Sequence, residues 1–155
     1  RRRHTRYISV TGVQTCALPI WCIDLRGGSV STVYHLTTRH QLEEAQMLGV
    51  YTTESLLKEG FIHMSQKHQV LKVANLFYKN VPDLVCLLID PSKLQNTLKY
   101  EPPAHPDGKP HDELSDSDLF PHLFGPLNLS AVIGKAELTQ NEAGAYIGFN
   151  PRGEL

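Results

Sequence analysis

A chain of 155 residues, 41% hydrophobic and 20% charged, suits one globular domain with a real core and leaves little room for a second. The formal net charge of −1 hides an asymmetry, because residues 1–20 carry four arginines and no acid; residues 21–155 then hold 11 basic against 16 acidic side chains, a formal −5. That balance gives no strong footprint for nonspecific nucleic-acid binding, and no apolar run approaches the roughly 18 residues of a membrane span.

The three cysteines, Cys16, Cys22 and Cys86, form no CxxC or Cys/His zinc spacing. A reducing, cytoplasmic setting is the expectation. The arginine-rich start invites comparison with a transit peptide. Val10 to Ile20, however, resembles the in-frame translation of a common short-read sequencing adapter, and Arg1 to Arg6 matches the same oligonucleotide upstream. Residues 1–20 are therefore expected to be an assembly artefact, 21–31 a leader of uncertain origin, 32–139 a single domain and 140–155 a tail with too little pattern to assign.

Ser31 to Thr38, STVYHLTT, is rich in β-branched and aromatic residues and reads as the first strand. Thr38 then caps a helix through Leu48, with Leu42, Ala45 and Leu48 at core spacing and Gly49 as the stop. Tyr51 to Lys58 reads as a loop with one helical turn. EGFIHMS, Glu59 to Ser65, reads as the second strand, and Ser65 as the N-cap of a helix from Gln66 to Lys79 whose Val70, Val73, Ala74 and Phe77 face the core. Val85 to Ile89 is a central strand, Asp90-Pro91 opens a short helix, and Leu98 to Glu101 is a fourth strand. Pro102 to Leu119 is a proline-rich acidic loop. Phe120 to Leu127, FPHLFGPL, packs aromatics between turn residues, and Ala131 to Leu138 is the last strand. The expected fold is α+β, a mostly antiparallel sheet with two main helices.

Period two puts His35 and Thr37 on one face of the first strand, and Phe61, His63 and Ser65 on one face of the second. If those strands are neighbours, two imidazoles and two hydroxyls converge, a cleft with donors and acceptors but little charge. The same alternation also occurs on solvated strand faces. A lone carboxylate such as Glu101 and a histidine in an apolar segment such as His122 are each commonly structural, while His40, His68, His105 and His111 fall on helical or loop surfaces. A metal set drawn from His35, His63, His122 and Glu101 has no HxxxH or HxH spacing, so no metal site is expected. No P-loop, GxSxG or GxGxxG occurs.

Four blocks in order, Tyr34-His35-Leu36-Thr37-Thr38, Glu59 to Ser65, Tyr100-Glu101-Pro102 and Phe120 to Leu127, resemble the family catalogued as domain of unknown function 952. The resemblance implies an ADP-ribosyltransferase-like fold, a split antiparallel sheet around an NAD-sized cleft. More distantly, His35-Leu36-Thr37, the helix ending at Gly49 and Ile62-His63-Met64-Ser65 are similar in order and spacing to RNA 2′-phosphotransferases. Those enzymes carry His-Gly-Thr where this chain has His-Leu-Thr, and a basic residue before the second histidine strand where Glu59, Gly60 and Phe61 stand.

What the resemblance implies is a nucleotide ligand, with NAD as substrate and ADP-ribose transfer as the chemistry. His35 and Thr37 would hold the nicotinamide-side ribose or amide, His63 and Ser65 the ribose or diphosphate oxygens, and Glu101 the ribose 2′-hydroxyl. His122 and Gly125 would line the wall, and Phe124 would stack on a base. The competing readings are a nucleotide-binding module that has lost the chemistry and, behind it, a His-ligated metal enzyme.

Overall fold

The computed structural model describes residues 31–103 and 118–153. Residues 1–30, with the adapter-like stretch and the leader, and most of the loop that follows Pro102, with His105 and His111, lie outside the described residues.

In chain order the elements are β1 (Val33–Thr38), α1 (Arg39–Leu48), β2 (Val50–Tyr51), α2 (Glu54–Glu59), β3 (Ile62–His63), α3 (Val70–Phe77), β4 (Leu84–Ile89), β5 (Thr97–Glu101), β6 (Phe120–Phe124), β7 (Leu127–Asn128), β8 (Val132–Gln140) and β9 (Tyr146–Gly153). They form a four-stranded sheet β1-β4-β8-β9, a three-stranded sheet β3-β6-β5 and a short β2-β7 pair. Every ladder is antiparallel. The fold is therefore α+β and mostly antiparallel, as the sequence led us to expect.

The two larger sheets meet at one point. Tyr34 and Ser65 exchange both backbone hydrogen bonds, at 2.9 and 2.7 Å, so the chain leaving β3 docks on the free edge of β1. This bridge sets His35 beside His63.

Alternation along β1 and β4 divides the core. Val33, Leu87 and Ile89 pack with Leu42 and Ala45 of α1, Tyr51, Ile62 and Leu123 on one face. Tyr34, Leu36 and Cys86 pack with Val70 and Ala74 of α3 and with Tyr146 on the other. Cys86 is a buried free thiol whose pKa desolvation pushes up to about 12, an inert position.

Several elements depart from the sequence reading. In α1 the Thr38 cap and the left-handed Gly49 stop are as expected, and Leu42 and Ala45 are buried, but Leu48 is 70% exposed because the helix turns it away before Gly49. The helical turn expected within Tyr51 to Lys58 is present as a short helix, α2, capped by Thr53 and ended by Gly60 at φ 86°, and Tyr51 itself ends strand β2. Ser65 does not cap a helix, being tied to Tyr34. The chain turns instead through a 3-10 segment, Lys67–Gln69, where Gln69 Oε1 accepts from the Gln66 amide at 2.8 Å.

Phe120 to Leu127 is not a turn segment but two strands, β6 and β7, with Gly125 between them. Pro121 sits in the middle strand of its sheet, where proline is uncommon; its carbonyl still accepts from Met64. The tail contains β9, joined to β8 by a turn in which Asn141 Oδ1 accepts from the Ala143 and Ala145 amides.

Candidate functional site

A cleft of about 480 Å³ opens where β1, β2, α2, β3 and β6 meet. That volume lies within the range of about 300–1,000 Å³ usual for small-molecule sites. His35, His63, Ser65 and His122 line it, as do Tyr51 and Glu59.

The first histidine is committed to structure. His35 is buried, and Nδ1 donates to the His63 carbonyl at 2.7 Å; a carbonyl only accepts, so the proton of the neutral ring is on Nδ1. Nε2 is 2.8 Å from the Tyr51 hydroxyl, which is also 2.8 Å from Oγ1 of Thr37. One phenolic proton serves two acceptors. Directed at Thr37, it leaves Nε2 facing an oxygen lone pair, a contact only an imidazolium makes favourable; directed at Nε2, it suits the neutral ring. Burial lowers the His35 pKa to about 4, so the neutral arrangement holds at neutral pH. The same burial raises Tyr51 to about 12. Thr37 lies behind Tyr51, with Oγ1 also 3.0 Å from Gln41 Oε1; in the neutral arrangement its proton goes to the Tyr51 oxygen, and it does not line the cleft.

The second histidine faces the cleft. His63 Nε2 and Glu59 Oε2 are 3.1 Å apart, with side chains 28% and 31% exposed. The separation of four residues is not helical here. Glu59 ends α2, Gly60 reverses the chain in a left-handed conformation, and β3 brings His63 back alongside. Burial lowers the His63 pKa; the Glu59 carboxylate opposes the shift and nearby His122 adds to it.

His63 and His122 are cross-strand partners in β3 and β6, and their rings meet edge to face at 5.4 Å. His122 Nδ1 bonds Glu101 Oε2 at 3.0 Å, reaching across to β5. Phe61 roofs the pair, stacked on His122 at 4.3 Å and edge-on to His63 at 4.9 Å. The result is two histidine–carboxylate pairs under one aromatic ring.

The structure thus brings His35, His63, Ser65 and His122 to one cleft, and places Glu101 against the outer side of His122. It does not bring Phe124 or Gly125 there. Phe124 packs on Phe61 at 5.5 Å and carries the Lys99 ammonium 4.6 Å above its ring. Gly125, at φ 143°, closes on Asn96, whose Cγ would lie 2.5 Å from an added Cβ; its role is packing at the β6–β7 corner. Sequence reasoning missed Tyr51, which sits in a two-residue strand with no pattern, and Glu59, whose place inside EGFIHMS was the available signal. Among the described residues, no three His, Cys, Asp or Glu side chains are placed to hold a metal ion, and no helix is long and apolar enough to cross a membrane.

Residues 36–135 match the model of a family described as a protein of unknown function, DUF952. Among solved structures, protein CC0527 from Caulobacter crescentus is similar in its crystal form, at 26% identity and TM-score 0.62 over 75% of this chain and 93% of that one. A double mutant of it gives 25% and 0.62 over the same shares. Its solution structure gives 26% and 0.58 over 74% of this chain and 90% of that one. No curated protein matches the chain.

Proposed function

The chain belongs to the DUF952 family, and we propose that its cleft binds NAD or a related nucleotide and transfers ADP-ribose from NAD. The observation that carries the proposal is the convergence of His63, Ser65 and His122 with the aromatic wall of Tyr51, Phe77 and Tyr78 in one cleft of about 480 Å³. Planar faces suit a base or nicotinamide ring, and imidazole and hydroxyl groups suit ribose. An ADP-ribosyltransferase-like arrangement, with sheets flanking a nucleotide cleft, is part of the same reading, as is the likeness of the two histidine blocks to RNA 2′-phosphotransferases.

The residues fit NAD in charge as well. Its pyridinium is cationic, and Glu59 supplies a carboxylate at the cleft; Glu101 stands behind His122 instead of facing the ligand. Lys58 also lines the cleft, paired with Glu54 at 2.6 Å on an exposed helix, a weak contact that a diphosphate can replace. The transferred sugar passes through an oxocarbenium-like state, whose positive charge a nearby carboxylate stabilises.

The roles divide differently from those the resemblance implies. His35 and Thr37 position Tyr51 and the β3 carbonyl, while His63 and Ser65 contact the ligand. Calorimetric titration of NAD, with His63→Ala alongside and free nicotinamide assayed afterwards, tests the proposal. Binding that requires His63, with nicotinamide released, supports an NAD-consuming transferase. A stoichiometric complex without nicotinamide would make the domain a binding module, and no heat with either protein would remove NAD as ligand.

A further inference from the structure

We infer that the acceptor of the transferred group is a neutral O–H nucleophile, a hydroxyl or water, and that His63 removes its proton through Nδ1 while Glu59 positions the ring. This rests on the nucleotide reading above. A carboxylate only accepts, so Nε2 of His63 carries the proton that Glu59 holds at 3.1 Å. In the neutral ring Nδ1 is then bare, and among the described residues it has no hydrogen-bond partner. Partial burial favours that neutral form.

The three cleft histidines differ in this respect. His35 has the opposite tautomer and both nitrogens engaged. His122 bonds Glu101 through Nδ1 and is 3% exposed beneath Phe61. His63 combines an accessible ring, a bare nitrogen and a carboxylate that stabilises the imidazolium once formed. That combination serves a nucleophile whose proton must leave as it attacks; a carboxylate or thiolate acceptor would have no use for it.

The step balances without a further reactant. As the acceptor oxygen bonds to C1′ of the ribose, the bond from C1′ to the nicotinamide nitrogen breaks and its electron pair stays with neutral nicotinamide. The acceptor proton passes to His63 Nδ1 and then to solvent. In this proton transfer Glu59 acts through His63, as a positioning residue.

The test combines nitrogen NMR of histidine-labelled full chain with nicotinamide release. In the wild type, Nδ1 of His63 is expected to show the shift of an unprotonated nitrogen. Glu59→Ala should mix the two tautomers and lower kcat on the order of a hundredfold. Free ADP-ribose as product identifies water as the acceptor, and an ADP-ribosyl ether formed with added methanol identifies a hydroxyl. A proton on Nδ1 in the wild type, or an unchanged kcat in Glu59→Ala, overturns the inference while leaving NAD binding intact. Absence of NAD binding by calorimetry overturns the nucleotide reading and this inference together.

Discussion

His35 Nδ1 donates to the backbone carbonyl of His63 at 2.7 Å, so one histidine fixes the strand that presents the other. Two residues equivalent in a sequence pattern thereby take unequal parts: His35 is buried with both ring nitrogens engaged, and His63 is part-exposed at the cleft.

Replacing His35 by alanine should destabilise the fold by roughly 2–4 kcal/mol, from lost packing, from leaving the His63 carbonyl without its donor and from removing one of the two partners of the Tyr51 hydroxyl. His63→Ala, at a part-exposed position, should cost about 1 kcal/mol or less. Urea midpoints of the two variants check the order.

Acid should act through the same residue. The folded-state pKa of His35 is depressed from 6.5 to about 4, so between these values the unfolded chain binds the extra proton and the folded one does not. Stability contributed by neutral His35 is present above pH 6.5, is lost as pH falls to about 4 and levels off below, for a total of up to about 3 kcal/mol. The lowered pKa of His63 adds a contribution of the same sign. Unfolding free energy followed across this range should slope in the wild type and much less in His35→Gln.

Tyr51→Phe keeps the ring and removes the hydroxyl that lies 2.8 Å from both His35 Nε2 and Thr37 Oγ1. A loss of about 1–3 kcal/mol is expected from denaturant unfolding, since the remaining groups are buried.

Gly125→Ala should destabilise by roughly 1–3 kcal/mol without changing ligand affinity, because φ 143° disfavours a side chain and the added Cβ meets Asn96. Equal NAD affinity with a lowered melting temperature is the outcome that fits a packing role; a selective loss of affinity would return Gly125 to the cleft wall.

Within EGFIHMS the strand is shorter than expected, Ile62–His63, because Glu59 ends α2 and Gly60 turns the chain at φ 86°, yet His63 and Ser65 both reach the cleft; Thr38 and Gly49 bounded α1 through side-chain capping and positive φ, which are local. What was hidden depends on distant partners. Leu48 keeps helical spacing yet is exposed, since spacing does not say where the packing face ends. Strand β6 was hidden among the turn residues of FPHLFGPL; it forms around Pro121, whose carbonyl accepts from Met64. Strand β9 is recognised by its pairing with β8 more than by its own composition. Glu101 had no sequence link to His63, and reaches the site only through the β5-β6-β3 register.

The most direct measurement is a titration of NAD into the nitrogen-labelled chain, following backbone amide shifts. Saturable shifts at Tyr51, His63 and Ser65, absent in His63→Ala, are the expected result. Unmoved amides at about millimolar NAD, where even an affinity of about −4 kcal/mol registers, or shifts confined to residues away from the cleft, would contradict nucleotide binding at this site.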